Sequence, residues 1–174
     1  MADTTHPKAN AEPVYPSKPF VSEIPKLRKL IAAQGLTGLA NDTKWNELIE
    51  FMRKVPREDW CAGYRYRCFD SGYVSEWDCE WWHHLPFPFI SVMWLDLSFI
   101  EVIHRGKLIS SELIDHSPDL ERLLLRIGFD FEKGADTIRI FGYAPRDRDG
   151  FRADTEAEQV VADQRTARRE QKSQ

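Results

Sequence analysis

Two stretches of the chain carry apolar residues at helical spacing. Trp45, Leu48, Ile49 and Met52 stand at i, i+3, i+4 and i+7, and so do Leu120, Leu123, Leu124 and Ile127. The first predicts a helix capped by Asn41 or Asp42 and ended by Pro56. The second has Ser117 as N-cap, Pro118 at the first helical position, Asp119 and Glu121 at the positive end and Gly128 to close it. A shorter face, Leu27, Leu30 and Ile31, predicts a helix over residues 24–34, with Pro25 in its first turn and Gly35 just past its end.

Between these helices the period changes to two. Over residues 63–70, Tyr64, Tyr66 and Cys68 point one way and Arg65, Arg67 and Phe69 the other, a strand with one wet face. Ser71-Gly72 supplies a turn. A second strand is expected within residues 73–84, where Trp77, Cys79 and Trp81 alternate with Asp78, Glu80 and Trp82 before Pro86 and Pro88 break the run. Residues 91–103 make the clearest strand, long enough to need a bulge or bend. Met93, Leu95, Leu97 and Phe99 share one face; Val92, Trp94, Asp96 and Ser98 share the other. A hairpin connection at His104–Lys107 leads into a strand over 107–114. The last strand is expected at 137–143, with Ile138 and Ile140 inward. The order ααββββαβ, with short links between consecutive strands, implies an α+β fold: a mainly antiparallel sheet of about five strands with helices packed on one face.

Outside this pattern the chain turns polar. Residues 1–23 hold Pro7, Pro13, Pro16 and Pro19 and few large apolar side chains, which reads as an extended leader. Residues 146–174 lack an apolar stripe and read as a charged, partly helical or disordered tail. That leaves residues 24–145 as one α+β domain. In 174 residues, 42% hydrophobic and 30% charged, no apolar run is long enough for a membrane span and no secretory signal is visible. The three cysteines, Cys61, Cys68 and Cys79, form no CxxC pair and imply reduced thiols in a cytoplasm. A net charge of −4 argues against sequence-independent nucleic-acid binding.

Candidate chemistry concentrates in one region. Twelve of the 21 aromatic residues fall within positions 60–99. They cannot all occupy one buried sheet face, so the surplus must be covered by a tail, a ligand or a partner. Asp78-Cys79-Glu80-Trp81-Trp82-His83-His84 is the only cluster with ligand chemistry. His83 and His84 point to opposite faces of a strand, however, and Cys79 and His83 stand ~13 Å apart along one. No metal site and no cofactor are therefore expected. Asp115-His116-Ser117 holds the residue types of a catalytic triad, but neighbours in sequence cannot orient one another. The usual nucleotide, zinc-protease and α/β-hydrolase motifs are absent.

From Tyr64 to Tyr143 the chain resembles a bacterial family of small uncharacterised cytoplasmic proteins, a domain of unknown function. The likeness rests on RYRCFDSGYVSEWDCEWWHHL, MWLDLSF, and HSPDLERLLLRIGF followed by IRIFGY. It implies a compact α+β domain and supplies no catalytic residues. The expected function is a cytoplasmic protein-binding module, of the kind that neutralises a partner as immunity or antitoxin proteins do, with an enzymatic role ranked behind it. Trp77, Asp78, Glu80, Trp82, His83, Trp94 and Asp96 form the candidate surface, with Trp and Tyr as anchors. One alternative is a small hydrolase or metal-dependent enzyme built on Asp78, Glu80 and His83. Another, disfavoured by charge, is a nucleic-acid binder using Arg65, Arg67 and Arg139.

Overall fold

Burying two helical stripes takes an apolar sheet face, and the chain supplies one. The computed structural model describes residues 19–56, 59–106 and 111–152. In chain order its elements are α1 (Pro19–Ala33), β1 (Thr37–Gly38), α2 (Asp42–Lys54), β2 (Tyr64–Cys68), β3 (Val92–Ser98), β4 (Ile100–Ile103), β5 (Glu112–Asp115), α3 (Ser117–Ile127), β6 (Phe131–Lys133), β7 (Thr137–Phe141) and β8 (Tyr143–Ala144). This is an α+β fold with antiparallel pairing throughout. The main sheet runs β2-β3-β7-β6; β1 pairs with β8, and β4 with β5. Among the described residues no helix is long and apolar enough to cross a membrane.

The helices follow their spacing. All eight stripe residues of α2 and α3 are buried, against Tyr64, Leu95, Leu97, Ile138 and Ile140 of the sheet. The Asn41 side chain caps α2 by accepting the Lys44 N–H at 3.0 Å. Gly128, at φ 82°, closes α3. The start of α3 departs from expectation. Ser117 is the first helical residue rather than the cap, and its buried Oγ has no partner among the described residues. Asp115 does the capping: its carboxylate accepts the Ser117 N–H at 2.7 Å, and that bond holds the carboxyl below its ordinary value. Helix α1 begins at Pro19, earlier than expected, so Pro25 lies inside it. Leu27 is its buried anchor.

Two expected strands are corrected. Residues 73–84 form no strand: their β-bridges to β2 are isolated ones, at Val74 and Asp78. The 91–103 run breaks at Phe99, which is buried in the core. Beyond it the chain leaves the main sheet for the β4–β5 hairpin. The turn expected at 104–107 enters residues 107–110, outside the described residues, as do 1–18 of the expected leader and 153–174 of the expected tail.

The face of the main sheet turned from the helices is not wet. Asp96 on central β3 stands opposite Arg65 on β2 and Arg139 on β7, and Arg139 opposite Glu132 on β6. Arg139 grips the Asp96 carboxylate through Nε at 2.7 Å and Nη2 at 2.9 Å, and both residues are fully buried. Arg65 adds Nε at 3.0 Å and Nη2 at 2.9 Å. The Arg139 guanidinium lies 3.7 Å from the Trp94 ring centre. Residues 146–152, expected in the tail, run over this ladder. Asp147 and Asp149 offer their carbonyls to Arg139 and their carboxylates to Arg67, while Arg146 and Arg148 pair with Glu132. These pairings neutralise and cover what the alternation alone would leave in water.

Candidate binding surface

Strand β2 is an edge of the main sheet, and an exposed edge invites pairing with another chain. Here the following segment folds back to cover it. Gly72, at φ 67°, allows the turn. Cys68 N–H then donates to Tyr73 O at 3.0 Å, and Ser75 N–H to Tyr66 O at 2.9 Å. Tyr64 and Asp78 exchange both backbone bonds, at 2.7 and 2.9 Å. One acceptor in this cover is a side chain, Ser75 Oγ, which takes the Tyr66 N–H at 3.0 Å. That substitution explains why the segment is no regular strand.

Covering the edge with backbone leaves the side chains outward. Tyr73, Val74, Trp77 and Trp82 are exposed, at 55%, 44%, 44% and 42%. Trp81 turns in instead, its Nε1 donating to Ala62 O at 2.9 Å. Two arginines steady the exposed indoles: Arg65 lies 5.0 Å from the Trp77 ring centre and Arg53 4.8 Å from that of Trp82. Arg53 is itself fixed by donating to Trp81 O at 2.9 Å.

Of the residues singled out from sequence, Trp77, Asp78, Glu80, Trp82 and His83 lie on this segment. Trp94 and Asp96 do not: at 2% and 0% exposure they belong to the buried ladder and not to the surface. The carboxylates are engaged in turns. Asp78 Oδ1 accepts the Glu80 N–H at 2.8 Å and Glu80 Oε1 the Trp82 N–H at 2.9 Å. Asp78 Oδ2 faces His84, not His83, at 2.6 Å. Burial alone would raise the Asp78 carboxyl, but the Glu80 N–H, the His84 ring and the Cys79 N–H together hold it below its ordinary value. Among the described residues no three His, Cys, Asp or Glu side chains gather where they could hold a metal ion.

Asp78, Asp115 and Glu132, the last lowered first by Arg148, all share this direction of shift. Each contributes stability that is complete above the ordinary values of 3.8 (Asp) and 4.5 (Glu) and is lost as pH falls through the lowered ones. The urea midpoint is therefore expected to hold from about pH 7 to about 5 and to drop between about pH 4 and 2. A midpoint as high at pH 3 as at pH 7 would contradict the lowered values.

Two concavities adjoin these elements. A pocket of about 230 Å³ is walled by Tyr66, Tyr73, Trp77, Glu76, Asp78 and His84, among others. A larger groove of about 1050 Å³ lies between α2 and α3, where Phe51, Trp60, Leu120 and Leu123 face Arg126 and His116. There the His116 ring stacks on Trp60 at 3.9 Å and 7° and its Nε2 meets Glu101 at 2.9 Å. Sequence reasoning missed this group because its members come from three separate segments. The adjacent Asp115 and Ser117, which made 115–117 look like a triad, serve the helix start. Burial pushes the Cys61 thiol in this groove up, away from thiolate chemistry. Arg65, Arg67 and Arg139 do share one sheet face, as a nucleic-acid surface would need, but each is ion-paired.

Comparison with curated proteins and with solved structures returns no match. A family model does match: it describes a family of unknown function, DUF6678, and aligns with residues 27–147, from within α1 to Asp147 over the buried ladder. The match takes in the main sheet, its charged face, α2, α3 and the aromatic edge segment, and the chain belongs to that family.

Proposed function

We propose that this domain is a protein-binding module that docks its partner on the edge segment 73–83, with Trp77 and Trp82 as anchors and Asp78, Glu80 and His83 beside them. One observation carries the reading. Of the eight large hydrophobic residues exposed among the described ones, four lie within the ten positions 73–82. Their backbone is tied to β2 and both indoles are held by arginines, so little ordering remains to be done on binding. Exposed, pre-oriented Trp is the side chain that most often dominates an interface. A partner-neutralising role suits such a surface. The turn roles of Asp78 and Glu80 favour binding over hydrolysis, because their carboxylates are already committed to backbone N–H groups.

The test is partner capture from the native host by the immobilised protein, identified by mass spectrometry and repeated with Trp77→Ala and Trp82→Ala. Both variants are expected to keep the wild-type melting temperature and to bind the captured partner about tenfold or more weakly, as loss of an interface anchor does. Unweakened binding by both variants, or their unfolding, would remove the basis of the reading.

A further inference from the structure

The 230 Å³ pocket within this surface has the make-up of a cation site. Tyr66 and Tyr73 meet edge to face, ring centres 6.2 Å apart at 62°, and Trp77 adds a third ring to the same walls. Aromatic faces carry negative charge density and attract ammonium groups, most strongly where several rings converge. Glu76 and Asp78 line the pocket as well, and among the described residues no Lys or Arg does. Among the described residues the one basic group in its wall is His84, already joined to Asp78. Arg65 approaches Trp77 but is not among the lining residues, so it occupies the indole from outside. Burial first, then Cys68, Tyr73 and Asp78, push the Tyr66 hydroxyl up. Glu76 is exposed at the pocket and has no ion-pair partner among the described residues, so its carboxylate can meet an incoming charge.

We propose that this pocket receives an alkylammonium group, the end of a lysine-type side chain presented by the protein partner. The inference rests on the protein-binding reading and deepens it. The volume admits an ammonium or trimethylammonium head with its last methylenes, the three rings take its methyl or methylene faces, and Glu76 and Asp78 neutralise it.

The experiment titrates the full chain with three probes: N-acetyl-lysine methylamide, its ε-trimethylated form, and N-acetyl-norleucine methylamide as the uncharged control. Binding is read from NMR shifts of the Trp indole N–H groups, with the Trp77 signal assigned by its loss in Trp77→Ala. The two charged probes are expected to shift the Trp77 signal at millimolar concentration and to bind about five- to thirtyfold more tightly than norleucine, the range spanned by one to two cation–π contacts. Glu76→Gln should weaken the charged probes and leave norleucine unchanged, and Tyr73→Ala should weaken the charged probes by a larger factor than norleucine. Both residues are exposed, so both variants are expected to keep the wild-type melting temperature, which thermal melts check. Equal binding of norleucine, or no shift of the Trp77 signal by any probe, overturns the cation site. If that happens while partner capture still depends on Trp77 and Trp82, the interaction reading stands and only the ligand chemistry falls. If the charged probes bind but no partner depends on the indoles, the pocket stands and the interaction reading falls.

Discussion

Asp96→Ala is expected to lower the free energy of unfolding by about 3–5 kcal/mol, the cost of breaking a buried ion pair on one side. The side chain is wholly buried and both oxygens are used, Oδ1 by Arg139 and Oδ2 by Arg139 and Arg65. Removing it leaves the Arg139 guanidinium without a counter-charge in a place water does not reach. Arg65, with 28% of its side chain exposed, can still be hydrated, so most of the loss belongs to Arg139. A loss of that size is a large part of the whole stability of a domain this small. Urea denaturation of the single variant checks the magnitude. A companion variant separates charge from packing: Asp96→Leu with Arg139→Met replaces the pair by apolar side chains and is expected to recover most of the loss. A single-variant loss under about 1 kcal/mol would mean the ladder is hydrated in solution.

Leu124→Ala is expected to cost about 2–5 kcal/mol, through lost apolar transfer plus the cavity left behind. Leu124 is fully buried in the cluster that joins α2, α3 and the sheet. Alanine is at least as good a helix former as leucine, so the loss cannot come from the helix itself. The next residue supplies the control. Leu125 is 67% exposed, and Leu125→Ala should stay within about 0.5 kcal/mol of the wild type. Equal effects at the two positions would mean that α3 does not pack as described.

How much of this was legible in the sequence depends on the range of the cause. Helices α2 and α3 are set by spacing and caps within a dozen residues, and they stand where the pattern puts them. Strand β6 was missed because three residues, Phe131–Lys133, carry no alternation to read. Segment 73–84 mimics a strand because Trp77, Cys79 and Trp81 alternate. What stops it from pairing regularly is a Ser75 hydroxyl in place of a backbone acceptor, which no periodicity encodes. The exposed indoles of the candidate surface were legible as a surplus of aromatics. Trp94 and Asp96 were not separable from them, because their burial depends on Arg139 and on residues 146–152, about fifty positions away at the far end. The Trp60–His116–Glu101 group was illegible for the same reason.

The pairing of β3 with β7 has a consequence for how the chain comes into being. Strand β3 is complete at Ser98, yet the neighbour that closes its second edge ends at Phe141. At synthesis rates of ~5–20 residues per second, roughly 2–9 s separate the two. During that interval the nascent chain holds an apolar strand with one free edge and a carboxylate, Asp96, whose chief partner has not been made. Until Arg139 is delivered, the charged face favours keeping Asp96 in water, which restrains β3 from collapsing early around the wrong neighbour. Closing that edge over about forty residues adds a long-range contact, the kind whose loop entropy slows folding.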